Sequence, residues 1–486
     1  MSESWSTLPG DWSASGVDLH LDPDAAGGRR AGLERALRDA IRSGRLAPHT
    51  RLPSTRALAA DLGLSRGTVS AAFGQLTEEG WLTARQGSGT TVAGTTVAER
   101  GASRAAGPEA PPAVPPPRHN LRPGQPDLSR FPAAAWLRSA RRALPLARAG
   151  AWNYGDPAGR PELRAALAGY LGRTRGVLAG PGQIVITSGY VQALALLARV
   201  LHSAGATAIA MEDPGLGFHR DVAARSGLTI VPLPVDDDGA RPQDLAGGPV
   251  SAVVLTPAHQ YPTGVTLHPA RRRALADWAR ATGGLIIEDD YDGEFRYDRQ
   301  PVGALQGVAP DHVAYVGSAS KTLAPGVRLA WLVPPRHLSE AVTEAKRHDD
   351  FQTETMGQLV LADFITSHGY DRHIRASRLR YRRRRDLLLD RLTPGPGRPV
   401  PPGLRVHGVA AGLQALISLP PAGPGEDAVL AAAARHGIDL GGLAPHWHTP
   451  GSHPPGIVVG FGAAAERAYP AALDALARAL HEASRS

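Results

Sequence analysis

The feature that most limits how this chain can fold is residues 95–118, a stretch of mainly Ala, Gly and Pro that ends in a proline-rich run. It carries no apolar periodicity, so we expect it to contribute neither a helix nor a strand to a core. Proline-rich segments adopt extended conformations and act as semi-rigid spacers. The chain of 486 residues is therefore predicted to form two units, residues 14–94 and 119–486, joined by a linker.

The first unit has the pattern of a winged helix-turn-helix. Apolar residues recur at helical spacing in residues 29–41. Ser54 and Ser65 are suitable N-caps for two further helices, and Gly63 between those helices supplies a tight turn. Residues 81–92 predict two short strands around a glycine-rich tip, which is the wing.

The first unit is also basic. Ten arginines and five acidic residues lie between Arg29 and Arg85, which is typical of a phosphate-binding surface. The net charge of +8 for the whole chain permits a polyanionic partner. The alternative is a small helical packing domain with a solvated basic face. Because the helices, turn and wing agree with one another, double-stranded DNA is the predicted partner.

Residues 30–92 resemble the GntR-type winged-helix family. The motifs are Leu-Pro-Ser-x-Arg from residue 52, Leu-Gly-x-Ser-Arg-x-Thr-Val from residue 62, and Gly-Ser-Gly-Thr from residue 87. The resemblance implies that the recognition helix contacts DNA and that the wing tip enters the minor groove. The residues that it implies for these contacts are Arg56, Ser65, Arg66, Thr68, Gln86 and Gly87.

The second unit alternates short β-branched runs with helical stretches. The runs lie at residues 183–187, 206–210, 251–255 and 285–289, and Gly or Pro bounds them. This alternation predicts an α/β domain around a mostly parallel, buried sheet. Ligands of such sheets bind beyond the carboxyl ends of the strands, so the chemistry is expected there.

Lysine usage singles out one position in the second unit. Only Lys321 and Lys346 are lysines among 53 basic residues. An arginine cannot form a Schiff base, whereas a lysine can. Ser318 and Ser320 precede Lys321, and Arg328 follows it, so hydroxyls and a guanidinium for a phosphate lie close in sequence. An amine beside a phosphate site indicates pyridoxal 5′-phosphate (PLP); the alternative is a surface lysine in a serine-rich loop.

Two other strand ends fit the same cofactor. Residues 187–192 link a strand to a helix, whose free N–H groups can bind phosphate. Asp289 can pair with a pyridinium nitrogen, and Tyr291 can bond the 3-hydroxyl of PLP. The acidic run at residues 288–290 alternatively suits a solvated loop or Mg²⁺. Lys321 favours the cofactor, and no metal is predicted.

Residues 120–480 resemble fold-type I PLP enzymes of the aspartate aminotransferase class. The motifs include Thr-Pro-Ala-His-Gln-Tyr-Pro-Thr-Gly from residue 256 and Ser-x-Ser-Lys from residue 318. The resemblance implies that Lys321 carries PLP as a Schiff base, whether or not catalysis follows. It implies further cofactor contacts from Tyr154, Gly189, Tyr190, Val191, Asp289, Tyr291, Ser318, Ser320 and Arg328. Tyr154 would reach the phosphate of a partner subunit, because these folds dimerise with shared sites.

Winged helix, linker and aminotransferase-like domain together resemble the MocR subfamily of GntR regulators. The resemblance implies a PLP-dependent transcriptional regulator: a homodimer that binds an operator with repeated half-sites and senses PLP, an amine or an amino acid. The first alternative is a working aminotransferase fused to a DNA-binding domain. The second is a DNA-binding protein whose large domain serves only for dimerisation.

Some residues depart from the aminotransferase pattern and favour sensing over catalysis. Leu216 stands where relatives usually have an aromatic residue that stacks on the pyridine ring; either Phe218 substitutes from nearby or the stacking contact is lost. Tyr261 replaces an Asn that bonds the 3-oxygen. Residues 457–463 lack an Arg that would bind a substrate carboxylate. The predicted effector is therefore PLP itself or an amine without such a carboxylate.

The composition also bears on compartment. The chain has no cysteine, which excludes disulfides and thiolate chemistry. It has neither an apolar run long enough to span a membrane nor the pattern of a signal peptide at residues 1–16. A cytoplasmic protein without a membrane partner is expected.

Overall fold

The computed structural model describes residues 28–85, 89–94, 117–245, 247–297, 302–393, 401–449 and 451–485. Contacts between Cα atoms divide the chain into two compact units, Met1–Pro115 and Pro116–Ser486. Of the predicted linker, only residues 117 and 118 lie within the described residues. Each unit is therefore treated by itself.

The first unit is a three-helix domain with a two-stranded wing. The helices are α1 (Gly28–Arg42), α2 (Thr55–Asp61) and α3 (Arg66–Glu78), and the antiparallel strands are β1 (Leu82–Arg85) and β2 (Gly89–Val92).

Local interactions set the ends of these helices. The Ser54 hydroxyl accepts a hydrogen bond from the Ala57 N–H at 3.1 Å, and the Ser65 hydroxyl accepts one from the Thr68 N–H at 3.0 Å. Gly63 has a φ of +60°, which a residue with a Cβ rarely adopts. The predicted caps and turn are thus confirmed.

A mixed sheet organises the second unit. Its eight strands lie in the order β4-β11-β10-β9-β8-β5-β6-β7. All neighbours are parallel except at β11 and β7, which run antiparallel to the strands beside them. The strands are β4 (Val185–Thr187), β5 (Ala208–Asp213), β6 (Thr229–Asp236), β7 (Gly239–Ala240), β8 (Val250–Leu255), β9 (Leu285–Asp290), β10 (Val313–Ser318) and β11 (Ala330–Val333).

Helices cover both faces of this sheet. Ile286 packs in one apolar cluster with the helix Pro269–Thr282, whereas its neighbour Ile287 packs in another with the helix Tyr190–Ser203. Burial on both faces explains why the central strands read as unbroken apolar runs. The helices are α4 (Ala133–Ala143), α5 (Pro161–Arg175), α6 (Tyr190–Ser203), α7 (Gly217–Arg225), α8 (Pro269–Thr282), α9 (Ser339–Asp350), α10 (Thr355–Thr366) and α11 (Gly369–Leu392).

A smaller antiparallel sheet follows in the C-terminal part of the second unit. Its order is β12-β13-β16-β15, and it packs with two helices around a core of its own. The strands are β12 (Arg405–Val406), β13 (Gln414–Ser418), β15 (Gly441–Gly442) and β16 (Gly456–Gly460), and the helices are α12 (Glu426–Arg435) and α13 (Tyr469–Ala483). A short parallel pair, β3 (His119–Asn120) with β14 (Ile438–Asp439), ties the start of the unit to this part.

The predicted fold class is confirmed: a winged helix-turn-helix accompanies an α/β domain with a mostly parallel central sheet. Among the residues that the structure describes, we find no helix with the length and apolarity that a membrane crossing requires.

Candidate functional site

A cavity of about 410 Å³ lies at the carboxyl ends of β4, β5, β8, β9 and β10. This is the edge of the sheet at which ligands of α/β proteins bind. The cavity collects residues from six separate segments of the chain. Nine of the predicted cofactor residues line it: Gly189, Tyr190, Val191, Asp289, Tyr291, Ser318, Ser320, Lys321 and Arg328.

Lys321 lies just beyond β10, and its Nζ donates a hydrogen bond to the Gly124 carbonyl at 2.5 Å. Burial lowers the pKa of Lys321, while the negative charges of Asp289 and Asp292 oppose that shift. A lowered pKa leaves more of the amine uncharged near neutral pH, which is the nucleophilic form. The other lysine, Lys346, is fully buried and forms an ion pair with Asp350, so it is not available to a ligand.

Asp289 ends up in the cavity because β9 lies beside β10, with Asp289 next to Val316. Its carboxyl group is buried and forms no hydrogen bond or ion pair with another described residue. Burial raises the pKa of Asp289 well above its usual value; Asp290 raises it further, and Lys321 opposes the shift. A protonated ring nitrogen would give this carboxyl the partner that it lacks.

Tyr291 is held by two side chains, Gln414 and His259. Its hydroxyl accepts a hydrogen bond from Gln414 Nε2 at 2.8 Å and lies 3.0 Å from His259 Nδ1. The same His259 nitrogen is 2.8 Å from Asp292 Oδ2. With the Nδ1 proton directed at Asp292, the Tyr291 proton is left for a ligand oxygen. Burial raises the pKa of Tyr291, so the phenol keeps that proton.

A candidate anion-binding site lies at the other end of the cavity. Gly189 has a φ of +154°, and a Cβ added there would come within 3.2 Å of the Arg328 guanidinium. Arg328 adopts a left-handed conformation, with a φ of 54°, and forms no ion pair or hydrogen bond with any described residue. Helix α6 begins at Tyr190, so the free N–H groups of its first turn are close by. Ser318 Oγ accepts a bond from the Ser320 N–H at 2.9 Å and orders the neighbouring turn.

These groups fit PLP. The cavity offers an amine for the aldehyde, a carboxyl for the ring nitrogen, a phenol for the 3-oxygen and a guanidinium with helix N–H groups for the phosphate. The Asp289 and Arg328 side chains both lack a charged partner among the described residues, as expected for groups that a ligand would satisfy. No cluster of potential metal ligands occurs within those residues either.

Tyr154 is the one predicted cofactor residue outside this cavity. Its side chain is 80% exposed and packs edge-on against Phe351, with ring centroids 5.0 Å apart and an interplanar angle of 63°.

The prediction that Phe218 could supply the missing aromatic side chain is wrong. Leu216 does line the cavity, but Phe218 is 59% exposed and does not belong to the wall. His219 and Arg220, in the first turn of α7, face the cavity instead. In the sequence, only the spacing of these two residues from Leu216 pointed to the cavity. The packing of α7 determines which of its side chains face the cavity, and a local sequence pattern does not show that packing.

Arg220 changes the reasoning about carboxylate binding. Its guanidinium donates to the carbonyls of Gly215 and His446, each at 3.1 Å, and pairs with no acidic side chain in the described residues. The cavity therefore has a guanidinium even though residues 457–463 provide none. Tyr261 also lines the wall, and burial raises its pKa to about 12.

The candidate DNA-binding surface lies on the first unit. Arg56 and Arg66 are exposed and make no hydrogen bond or ion pair with other described residues. Arg38, in contrast, pairs with Glu79 at 2.8 Å. The hydroxyls of Ser65 and Thr68 lie 2.8 Å apart at the start of α3, where they also cap the helix. The predicted wing contacts Gln86 and Gly87 lie outside the described residues.

Comparisons with known proteins support both units. Residues 119–436 match the family model described as aminotransferase class I and II, and residues 30–92 match that of bacterial regulatory proteins, gntR family. A solved archaeal alanine:glyoxylate aminotransferase shares 26% identity and superposes with a TM-score of 0.67, covering 76% of this chain and 92% of its own. The kynurenine aminotransferase of Pyrococcus horikoshii has 25% identity and a TM-score of 0.66 over 75% and 90%.

These matches define a class: a winged-helix regulator fused to an aminotransferase-like domain. Curated relatives span nearly the whole chain. The pyridoxine biosynthesis regulator PdxR of Corynebacterium glutamicum is 32% identical over 88% of this chain and 91% of its own. The probable rhizopine catabolism regulator MocR of Rhizobium meliloti is 33% identical over 76% and 78%. This chain belongs to the MocR-type GntR transcriptional regulators.

Proposed function

We propose that this regulator binds PLP at Lys321 and uses the cofactor site to sense a small molecule. In this proposal residues 14–94 bind DNA, residues 95–118 are a linker, and residues 119–486 bind the effector and dimerise. One observation carries the proposal: Lys321, Asp289 and Arg328 line one cavity, and none of the three has an ion-pair partner among the described residues.

Bound PLP supplies an aldehyde that condenses with a primary amine. The residues of this chain do the rest. Lys321 would present an amine whose pKa burial lowers, Asp289 would pair with the ring nitrogen, and Tyr291 would donate to the 3-oxygen. Ser318, Ser320, Arg328 and the N–H groups near residues 189–191 hold the phosphate. A primary amine bound in the cavity in place of the Lys321 amine would leave Lys321 free to change its contacts.

The amine would then shift the balance between two arrangements of the protein. A ligand can do so only if its affinity differs between them. Candidate effectors are PLP itself, an amine or an amino acid. Arg220 removes one objection to an amino acid, because it provides a guanidinium within the cavity wall.

DNA recognition would follow from two winged helices on a homodimer. Arg56 and Arg66 would meet phosphates or base edges, Ser65 and Thr68 would lie at the helix end against the DNA, and Gln86 and Gly87 would enter the minor groove. Two copies would match an operator with repeated half-sites.

A homodimer is supported by exposed apolar surface around Tyr154. Phe351, which packs edge-on against Tyr154, is itself 42% exposed. An exposed aromatic pair is typical of a surface that another chain covers. In the dimer, Tyr154 would reach the phosphate site of the partner subunit.

A second candidate function is aminotransferase activity. The observation that favours it is that the cavity keeps Lys321, Asp289 and Tyr291 together. Replacement of the expected ring-stacking aromatic by Leu216, and the presence of Tyr261, favour sensing. Incubation of the PLP-loaded protein with amino donors and keto acids separates the two, since steady turnover of keto acid would identify an enzyme.

The direct test of the cofactor proposal is a titration of the full chain with PLP. We expect an absorption band of lysine-bound PLP and, after borohydride reduction, the mass of the cofactor on the peptide that contains Lys321. The peptide that contains Lys346 is the internal control. Absence of the band, or labelling of both lysines equally, would refute specific binding.

A further inference from the structure

The wall of the cofactor cavity at Leu216 is aliphatic, yet the cavity contains an aromatic pair elsewhere. Tyr190 and His219 both line it, and their ring centroids are 4.6 Å apart at an interplanar angle of 42°. A flat heteroaromatic ring binds best against another ring in an offset or tilted arrangement. The question is which side chain supplies that ring.

Tyr190 lies near the phosphate end of the cavity. Its backbone begins α6 directly after Gly189, which lies against the Arg328 guanidinium at the phosphate end. Burial raises the pKa of Tyr190, and the charges of Asp289 and Glu212 raise it further. Tyr190, Asp289 and Glu212 all line the cavity. Tyr190 thus shares one cavity with the Arg328 guanidinium and with the carboxyl that would meet the ring nitrogen.

The hydroxyl of Tyr190 also indicates contact with a ligand. It is buried and has no hydrogen-bond partner among the described residues. A buried hydroxyl without a partner is uncommon, because its desolvation is not compensated. A ligand or an ordered water in the cavity would provide the missing bond.

His219 supports the ring of Tyr190 from α7. Burial lowers the pKa of His219 to about 4, and the charge of Lys321 contributes. The imidazole is therefore neutral near pH 7 and acts as a flat, uncharged ring beside the phenol. Phe218, the neighbouring residue, is exposed and does not reach the cavity.

We propose that Tyr190, backed by His219, supplies the aromatic face against which the pyridine ring of the cofactor lies, in place of the aromatic side chain that Leu216 lacks. This inference rests on the proposed binding of PLP. It makes Tyr190 a positioning residue whose ring, rather than only its backbone N–H, contributes to the site.

The test measures PLP affinity by equilibrium dialysis and ring orientation by visible circular dichroism, on the full chain. Tyr190→Leu should raise the Kd for PLP about tenfold and weaken the dichroic band, because the stacking contact is lost. Tyr190→Phe keeps the ring and should keep the dichroic band, with a smaller loss of affinity than Tyr190→Leu. Leu216→Tyr, added to Tyr190→Leu, should recover most of the lost affinity. Phe218→Ala is the matched control and should change neither reading.

Three results would overturn the assignment. One is a Tyr190→Leu variant that binds PLP with the affinity and dichroism of wild type. Another is a His219→Leu variant that loses the band while Tyr190→Leu keeps it, which would give the stacking role to His219. The third is an effect of Phe218→Ala as large as that of Tyr190→Leu. If wild type itself shows no lysine-bound PLP, the proposed cofactor binding fails instead. Thermal unfolding of each variant without PLP checks that the fold is retained.

Discussion

In the first unit, Arg56 and Arg66 lie on an exposed surface and form no hydrogen bond or ion pair with other described residues, whereas in the second unit Asp289 and Lys321 line a cavity. Exposed charges act through water, at long range, and salt weakens them. Charges in a cavity are few, are desolvated and have shifted pKa values, so each one has a large individual effect. The two regions should therefore respond differently to single substitutions, to salt and to pH.

The largest expected effect is at Lys321. Lys321→Ala should abolish the lysine-bound absorption band completely, because no other amine faces the cavity in the described residues. The first unit does not depend on this amine, so the variant without PLP should bind DNA like wild type without PLP. Absorbance and DNA binding are measured on the same sample. A band that persists in Lys321→Ala would contradict the assignment.

Arg328 comes next. Arg328→Ala should weaken PLP binding about 10- to 100-fold, the size of a lost charge-assisted hydrogen bond in a site. Pyridoxal, which has no phosphate, serves as the matched probe. Its affinity should be the same for both proteins if Arg328 acts on the phosphate, and an equal loss for both ligands would place Arg328 elsewhere in the mechanism.

Glu212, which also lines the cavity, should make the stability of the fold depend on pH. Burial raises the pKa of Glu212 to about 7, compared with about 4.3 in an unfolded chain. The protonated group therefore contributes stability that is fully present below pH 4.3 and is lost as the pH rises through 7. Glu212→Gln should keep the bonds that Thr256 donates, at 3.1 Å from its N–H and 2.5 Å from its hydroxyl.

Thermal unfolding of Glu212→Gln and wild type, both without PLP, measures this effect. The two should match near pH 4, and the variant should gain at most about 4 kcal/mol by pH 8. A difference between the two proteins that does not change with pH would show that Glu212 is ionised in the fold.

The smallest effect is expected on the exposed side. Arg66→Ala should weaken DNA binding about tenfold and reduce the slope of log K against log salt by about 1, since one phosphate contact is lost. Arg30→Ala is the matched control, because Arg30 is paired with Glu34 at 2.8 Å on α1. Equal losses in both variants would mean that total charge, and not the recognition helix, determines binding.

The sequence predicted the first unit well because its structure is determined locally. Ser54 and Ser65 cap the helices that directly follow them, and Gly63 provides the turn between them. The central strands of the second unit were predictable for a related reason. Burial on both faces leaves an apolar run, such as Leu285 to Ile287, that can be read without knowing its neighbours.

Other features depend on contacts that no local pattern contains. Gly124 meets Lys321 across 197 residues of sequence, and two-residue strands such as Gly441–Gly442 are too short to show alternation. The cavity-facing positions of His219 and Arg220 depend on how α7 packs. Resemblance to a family supplied the cofactor residues, including the backbone N–H of Tyr190, but it suggested Phe218 and not the Tyr190 ring for the aromatic wall.

We propose that PLP bound in the cavity at Lys321 controls DNA binding by the first unit. The most direct measurement is the affinity of the full chain for the DNA upstream of its own gene, with and without PLP, for wild type and Lys321→Ala. The account predicts that PLP changes the Kd for DNA of wild type and leaves that of Lys321→Ala unchanged. An unchanged wild-type Kd, while absorbance shows that PLP is bound to Lys321, would contradict it.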